Sequence, residues 1–241
     1  MLGLICRYFK GQKCHLYMQP SKENDRHEIV VLVHGLIRRS YNMGYMGKFL
    51  RRHGYTIYVY DYKTSVKGMD GHGKDFRDYL RKILKENSPD VPVNIVTHSM
   101  GGILTRFALG ADERVDALSK PLDIKRFKRI VMLAPPHHGS KMARFFTKYL
   151  PFSARWLKPL SELSDAEDSM IHSVPLVPEG PEIGIVAGKY DSEVAYEYTY
   201  LEGMKERCTL KSEHSFMVYL AHVHLAVLRF LENGSFKWEE N

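Results

Sequence analysis

Ser99 has the most chemically suggestive surroundings in the chain. It stands in Asn94-Ile95-Val96-Thr97-His98-Ser99-Met100-Gly101-Gly102, where an almost wholly apolar stretch over 91–97 runs into a glycine-rich turn and then a helix-compatible stretch over 102–109. A serine at a sharp strand-to-helix turn exposes its hydroxyl above a sheet edge, and the usual pattern G-x-S-x-G reflects the need for small residues on both sides. Here Thr97 takes the first glycine position, Gly101 holds the second, and Gly102 lets the helix pack close to the strand. The chemistry such a turn serves is attack on a carbonyl carbon, with the developing negative oxygen held by backbone N–H groups. Met100 offers one donor. The other must come from the loop after an earlier strand, and Val31-Leu32-Val33-His34-Gly35-Leu36 offers the amide of Leu36. His34 and His98 read as residues that shape this loop and the elbow, supported by Gly35 and Gly101.

The elements that must position these groups follow from hydrophobic pattern. Runs over 29–33 and 55–60 are rich in β-branched and aromatic residues and flank a helix-compatible stretch over 43–53. A second helix is predicted over 72–87, ended by Ser88, Pro89 and Asp90, before the strand that carries Ser99. Further strands are predicted over 129–134, 182–187 and 207–210, and an apolar helix over 216–231 closes the chain. Two stretches near the start, 5–9 and 15–18, have the character of edge strands. Continuous apolar strands alternating with helices predict an α/β fold with a mostly parallel sheet covered by helices on both faces. About forty residues over 140–178 break the alternation with aromatics such as Phe145, Phe146 and Trp156, and read as a helical cap or lid beside the serine.

The strand and His34-Gly35-Leu36, the elbow around Ser99, and Leu133-Ala134-Pro135-Pro136-His137-His138-Gly139-Ser140 together resemble lipases and esterases of the α/β-hydrolase superfamily. The last segment is similar to their x-P-x-x-G-S/T, and the resemblance spans roughly residues 28–232, nearest the triacylglycerol-lipase and PGAP1-like branch. It implies a single α/β-hydrolase domain over 1–241 and a catalytic triad in the chain order Ser, acid, His. Asp191 then stands as the acid, in Asp191-Ser192-Glu193-Val194-Ala195, which resembles the family's D-G-x-V-x with Ser192 in place of Gly. His214, in Ser212-Glu213-His214-Ser215-Phe216, stands where the family's histidine opens the final helix. Glu193, Asp165 and Asp168 are the rival acids.

Bulk properties narrow the class. The chain has 35 basic and 28 acidic residues, a net charge of +7, so anionic partners have to be weighed. The basic residues fall in short clusters over 48–52, 77–85 and 125–129 that suit solvated faces; no nucleic acid is expected, and transient contact with a membrane surface stays open. Of twelve histidines, His137-His138 and His222-x-His224 invite a metal, yet neither spacing aims two rings at one point and no H-E-x-x-H occurs. No metal and no cofactor are expected. Three cysteines without Cys-x-x-Cys spacing fit a reducing compartment, and the first ten residues lack a signal-peptide core, so the reading is cytoplasmic. The expected substrate is a small-molecule or lipid-like acyl ester. An acyltransferase, thioesterase or amidase using the same triad, or a catalytically idle binding protein, remain alternatives.

Overall fold

The structure, a computed structural model, describes residues 5–9, 12–36, 38–64, 67–110, 122–140, 162–163 and 170–237. Its strands are β1 (Ile5–Phe9), β2 (Gln12–Met18), β3 (Ile29–Val33), β4 (Thr56–Tyr60), β5 (Val93–His98), β6 (Phe127–Leu133), β7 (Glu182–Gly188) and β8 (Glu206–Leu210). They form one sheet in the order β1-β2-β4-β3-β5-β6-β7-β8. From β4 through β8 the pairing is parallel, whereas β2 runs antiparallel to both β1 and β4. Of the two edge strands expected near the start, only β1 lies at the edge; β2 sits between it and β4, and the two form a hairpin added to a parallel core.

Helices α1 (Gly44–Arg52), α2 (Met69–Glu86), α3 (Met100–Leu109) and α4 (Ala221–Asn233) cover the sheet. The five residues of β3 are all buried, and they alternate between two apolar clusters. Ile29, Val31 and Val33 meet Phe76, Leu80, Ile103 and Phe107 of α2 and α3. Val30 and Leu32 share the other cluster with Met46 and Leu50 of α1 and Val227 and Phe230 of α4. Each such buried aliphatic side chain contributes about 1.5–3 kcal/mol, and a strand buried on both faces explains the unbroken apolar run.

This arrangement fixes where chemistry can occur. The chain leaves β3 toward one face and β5 toward the other, so the loops after these neighbouring strands diverge and open a crevice at their carboxyl ends, where open parallel sheets bind ligands. The loop carrying Gly35 and the turn carrying Ser99 are the two sides of that crevice.

Most boundaries shift by one to three residues, and two helix starts matter for the site. Helix α2 begins at Met69, just after Gly68 in extended backbone. The final helix begins at Ala221, not at 216: residues His214–Tyr219 form a separate 3-10 segment, and Leu220 between them is extended. The cap or lid expected over 140–178 lies mostly outside the described residues, as do the rival acids Asp165 and Asp168.

Candidate active site

Ser99 caps α3 directly after β5, with φ 52° and ψ −124°. A non-glycine residue with positive φ in this region costs about 1–3 kcal/mol, and surrounding contacts must hold it there. They do so through the Ser99 N–H, which donates to Leu133 O at 2.8 Å, and the Gly102 N–H, which donates to Ser99 O at 2.9 Å. His98 and Met100 on either side are buried, while Ser99 itself is part-exposed. A Cβ on Gly101 would sit 2.9 Å from Val33 O and 3.1 Å from His34 O, so the helix start rests on the backbone that follows β3. A Cβ on Gly35 would lie 2.9 Å from the Cβ of Ser99. The two loops are in contact because both positions lack side chains. Met100 is the first residue of α3, where a helix leaves its N–H groups without partners inside the helix. Leu36 turns away from β3 next to Gly35 and packs against the apolar cluster under α2 and α3.

The loops after β7 and β8 are zipped together. The Lys189 N–H donates to Leu210 O at 2.7 Å and the Tyr190 N–H to Ser212 O at 3.1 Å. Asp191, its side chain 1% exposed, therefore faces His214. Its Oδ2 accepts the Nδ1–H of His214 at 2.7 Å, while Oδ1 accepts the N–H groups of Glu193 and Val194 at 2.9 and 2.8 Å. Such a carboxylate fixes the orientation of the imidazole and its tautomer, with the ring proton on Nδ1. His214 is tied back to the elbow: the Nε2–H of His98 donates to His214 O at 2.9 Å, and the two rings lie 4.9 Å apart. Burial holds His98 neutral, well below the usual imidazole range, with the neighbouring His214 adding to the effect.

Glu193, the rival acid, lies on the other side of the ring. Its Oε2 is 3.8 Å from His214 Nε2, and its Oε1 accepts the Ser215 hydroxyl at 3.3 Å. Ser215 in turn accepts from the Arg38 guanidinium at 2.5 Å. The acid loop is also held by Ser140, whose hydroxyl donates to Glu193 O at 2.9 Å. The segment ending at Ser140 thus braces the acid loop, a role that its sequence pattern did not disclose.

His34 braces the opposite wall. Its Nδ1–H donates to Gly35 O at 3.0 Å, and its ring stacks on Tyr62 at 4.3 Å, whose hydroxyl donates to His34 O at 2.8 Å. Its Nε2 lies 3.5 Å from Asp61 Oδ1. Burial would push the Asp61 carboxyl up, but the contacts from His34, the Ser40 N–H and Arg39 outweigh it and hold Asp61 well below the usual carboxylate range. Asp61 and Arg38 both escaped sequence reading, since each acts through partners distant in the chain.

Among the described residues no group of three or more His, Cys, Asp or Glu side chains is arranged to hold a metal ion. His222 and His224 diverge, one bonding Lys211 O at the surface and the other Val218 O in the interior.

A sheet of this order, with a strained serine at the first turn of α3 and an acid-bound histidine across the crevice, defines an α/β-hydrolase. The chain belongs to the serine aminopeptidase S33 family, whose sequence model matches residues 24–176, more than half of the chain. The match takes in Ser99 and ends before Asp191 and His214. Among solved structures, the chain is similar to the mature lipase BlEst2 of Bacillus licheniformis, with a TM-score of 0.68 at 18% identity over 90% of this chain and 96% of that one. It is also similar to a lipase-esterase related protein of Clostridium acetobutylicum, with a TM-score of 0.56 at 14% identity over 90% and 98%. A type II thioesterase of the yersiniabactin pathway, YbtT, gives a TM-score of 0.60 at 11% identity over 92% and 99%. At these identities the likeness is one of fold. Among curated proteins, human Protein SERAC1 is 34% identical over 94 residues, which cover 37% of this chain and 14% of that protein. The family is one of hydrolases, and the matched segment spans about a seventh of the length of that curated relative. No helix among the described residues is long and apolar enough to cross a membrane.

Proposed function

We propose that the protein is a serine esterase that hydrolyses carboxylic esters through an acyl-enzyme on Ser99, with His214 as general base and Asp191 as the acid that orients it. The observation that carries this reading is the buried 2.7 Å contact between Asp191 and His214, anchored through His98 to the strained elbow of Ser99.

In this mechanism His214 Nε2 takes the Ser99 proton as Oγ bonds to the carbonyl carbon. The oxygen that becomes negative is met by the N–H groups of Met100 and Leu36, each worth about 3–4 kcal/mol of barrier. The imidazolium returns the proton to the leaving alcohol, and water, activated by the same histidine, releases the acid. His34, Gly35, His98 and Gly101 hold the two donor-bearing loops at the right separation.

An acyl-bearing substrate suits the rim. Phe216, two residues beyond His214, is 58% exposed, and exposed Tyr45 packs edge-on against Tyr219 at 5.7 Å. These aromatics beside the crevice favour a small-molecule or lipid-like ester over a polar one.

The test is labelling with a fluorophosphonate and turnover of p-nitrophenyl esters of increasing chain length, with Ser99→Ala and His214→Ala as controls. Labelling at Ser99 and ester turnover, both lost in the controls, would uphold the reading. Absence of both in the wild-type protein, or turnover that survives Ser99→Ala, would overturn it.

A further inference from the structure

Arg106 lies on α3 seven residues beyond Ser99, roughly 10 Å along the helix axis at 1.5 Å per residue. It is 6% exposed, and among the described residues no carboxylate pairs with it. Its Nε–H donates to Pro175 O at 3.0 Å, one terminal nitrogen donates to Val174 O at 2.5 Å, and the other reaches His137 Nδ1 at 3.4 Å. A guanidinium has five donors and no acceptor, so two donors and the whole positive charge are left over. Burying a charge without a counter-ion is costly, and burial draws this guanidinium down to about 10.

The same contact fixes the neighbouring histidine. Arg106 can only donate, so His137 Nδ1 accepts and the ring proton sits on Nε2. His137 is 3% exposed, and its Nε2 is buried with no hydrogen-bond partner. A buried donor left unpaired costs about 1–3 kcal/mol, so an acceptor is missing here.

Both residues line one cavity of about 200 Å³ together with His138, His172 and Tyr200, with Glu202 at its exposed rim. The cavity is below the roughly 300–1,000 Å³ of drug-sized sites, which suits a small polar group. Its lining comes from α3, the loop after β6, the chain before β7 and the chain before β8, and the spare donors on it belong to Arg106 and His137. Burial and the Arg106 charge keep His137 and His138 below the usual imidazole range, so these two rings do not add to the Arg106 charge.

We propose that this cavity binds a phosphate-class oxyanion, held by the free donors of Arg106 and the Nε2–H of His137, at a site separate from Ser99. Free phosphate, a small phosphomonoester and a phosphomonoester lipid headgroup present the same chemistry. The site stands whether or not Ser99 acts on esters.

The experiment is isothermal titration of Ser99→Ala protein in chloride buffer with inorganic phosphate, with phenyl phosphate, and with vesicles containing phosphatidic acid. Ser99→Ala removes any turnover and keeps the cavity. Saturable one-to-one binding of at least one probe is expected, weakened at least tenfold in both Arg106→Gln and His137→Leu. Because Arg106 also ties down Val174 and Pro175, circular dichroism and melting of each variant accompany the titration, and His137→Leu decides if Arg106→Gln does not fold. Which probe binds identifies the source: phosphate alone, phenyl phosphate alone, or vesicles alone. No saturable binding by any of the three, or binding that persists unchanged in folded His137→Leu, overturns the proposal. Fluorophosphonate labelling of Ser99 in the otherwise wild-type protein is expected to survive His137→Leu, so this site and the esterase reading fail independently.

Discussion

Asp191→Asn separates the two carboxylates that flank His214. In the folded protein Asp191 Oδ1 accepts two backbone N–H groups and Oδ2 accepts the His214 Nδ1–H. An asparagine keeps the first task, because its carbonyl oxygen can take the place of Oδ1, so the loop after β7 stays folded. It reverses the second: the amide N–H₂ now faces Nδ1, which must accept, and the ring proton moves to Nε2. Glu193, 3.8 Å from Nε2, rewards that tautomer with an acceptor. A histidine protonated at Nε2 cannot take the Ser99 proton. The expected loss in kcat is about 10,000-fold, as in triads where the acid becomes an amide, and corresponds to about 5.5 kcal/mol of barrier.

The assay is steady-state hydrolysis of a p-nitrophenyl ester by wild type, Asp191→Asn and Glu193→Gln, each checked for an unchanged melting curve. Glu193→Gln removes only a part-exposed neighbour of the ring and should cost at most about tenfold. If Asp191→Asn stays within tenfold of wild type while Glu193→Gln collapses, the acid is Glu193 and the assignment of Asp191 is wrong.

Gly101→Ala forces a Cβ to within 2.9 Å of Val33 O, a backbone atom at the carboxyl end of a central strand, and should cost about 1–3 kcal/mol. Thermal melting would read this as a drop of about 2–4 °C per kcal/mol, and an unchanged melting point would contradict the tight approach of the two loops. Stability should also fall on acidification: below pH about 6.5 the unfolded chain protonates histidines that buried His98 and His137 hold neutral, so it binds more protons. Each such histidine contributes up to about 1.4 kcal/mol per pH unit, and a urea midpoint that does not fall between pH 7.5 and 5.5 in phosphate-free buffer would refute it. Burial pushes the Cys208 thiol up to about 12, with Glu206 adding to the effect. Peptide mass spectrometry should find Cys208 unalkylated by iodoacetamide at pH 8 in the folded protein and alkylated in guanidinium, whereas fast alkylation of the folded protein would show the site to be open.

The sequence disclosed what local pattern encodes. The β3 and β5 runs are legible because both faces of those strands are buried, and Ser99 because a strained turn demands small neighbours at fixed offsets. Asp191 and His214 follow from the chain order and motifs that the family resemblance implies, and the structure brings the two into contact. The last helix starts later than its pattern predicts, for a physical reason. Met217 and Val218 lie before the extended Leu220, and Val223 and Val227 after it, yet all four are buried in one cluster, so apolar periodicity runs across the break without marking it.

Arg106 shows the opposite failure. In sequence it is one basic residue in an apolar helix, the kind usually assigned to a solvated face. But α3 is buried at every position, wedged between the sheet and α2, so no solvated face exists. Its carbonyl partners, Val174 and Pro175, are 68 and 69 residues away, and its imidazole partner is 31 away. No periodicity or spacing rule links such distances. A charge retained in the interior with donors to spare is intelligible only in three dimensions. A buried cation tolerated in the free protein points to an anion that completes it.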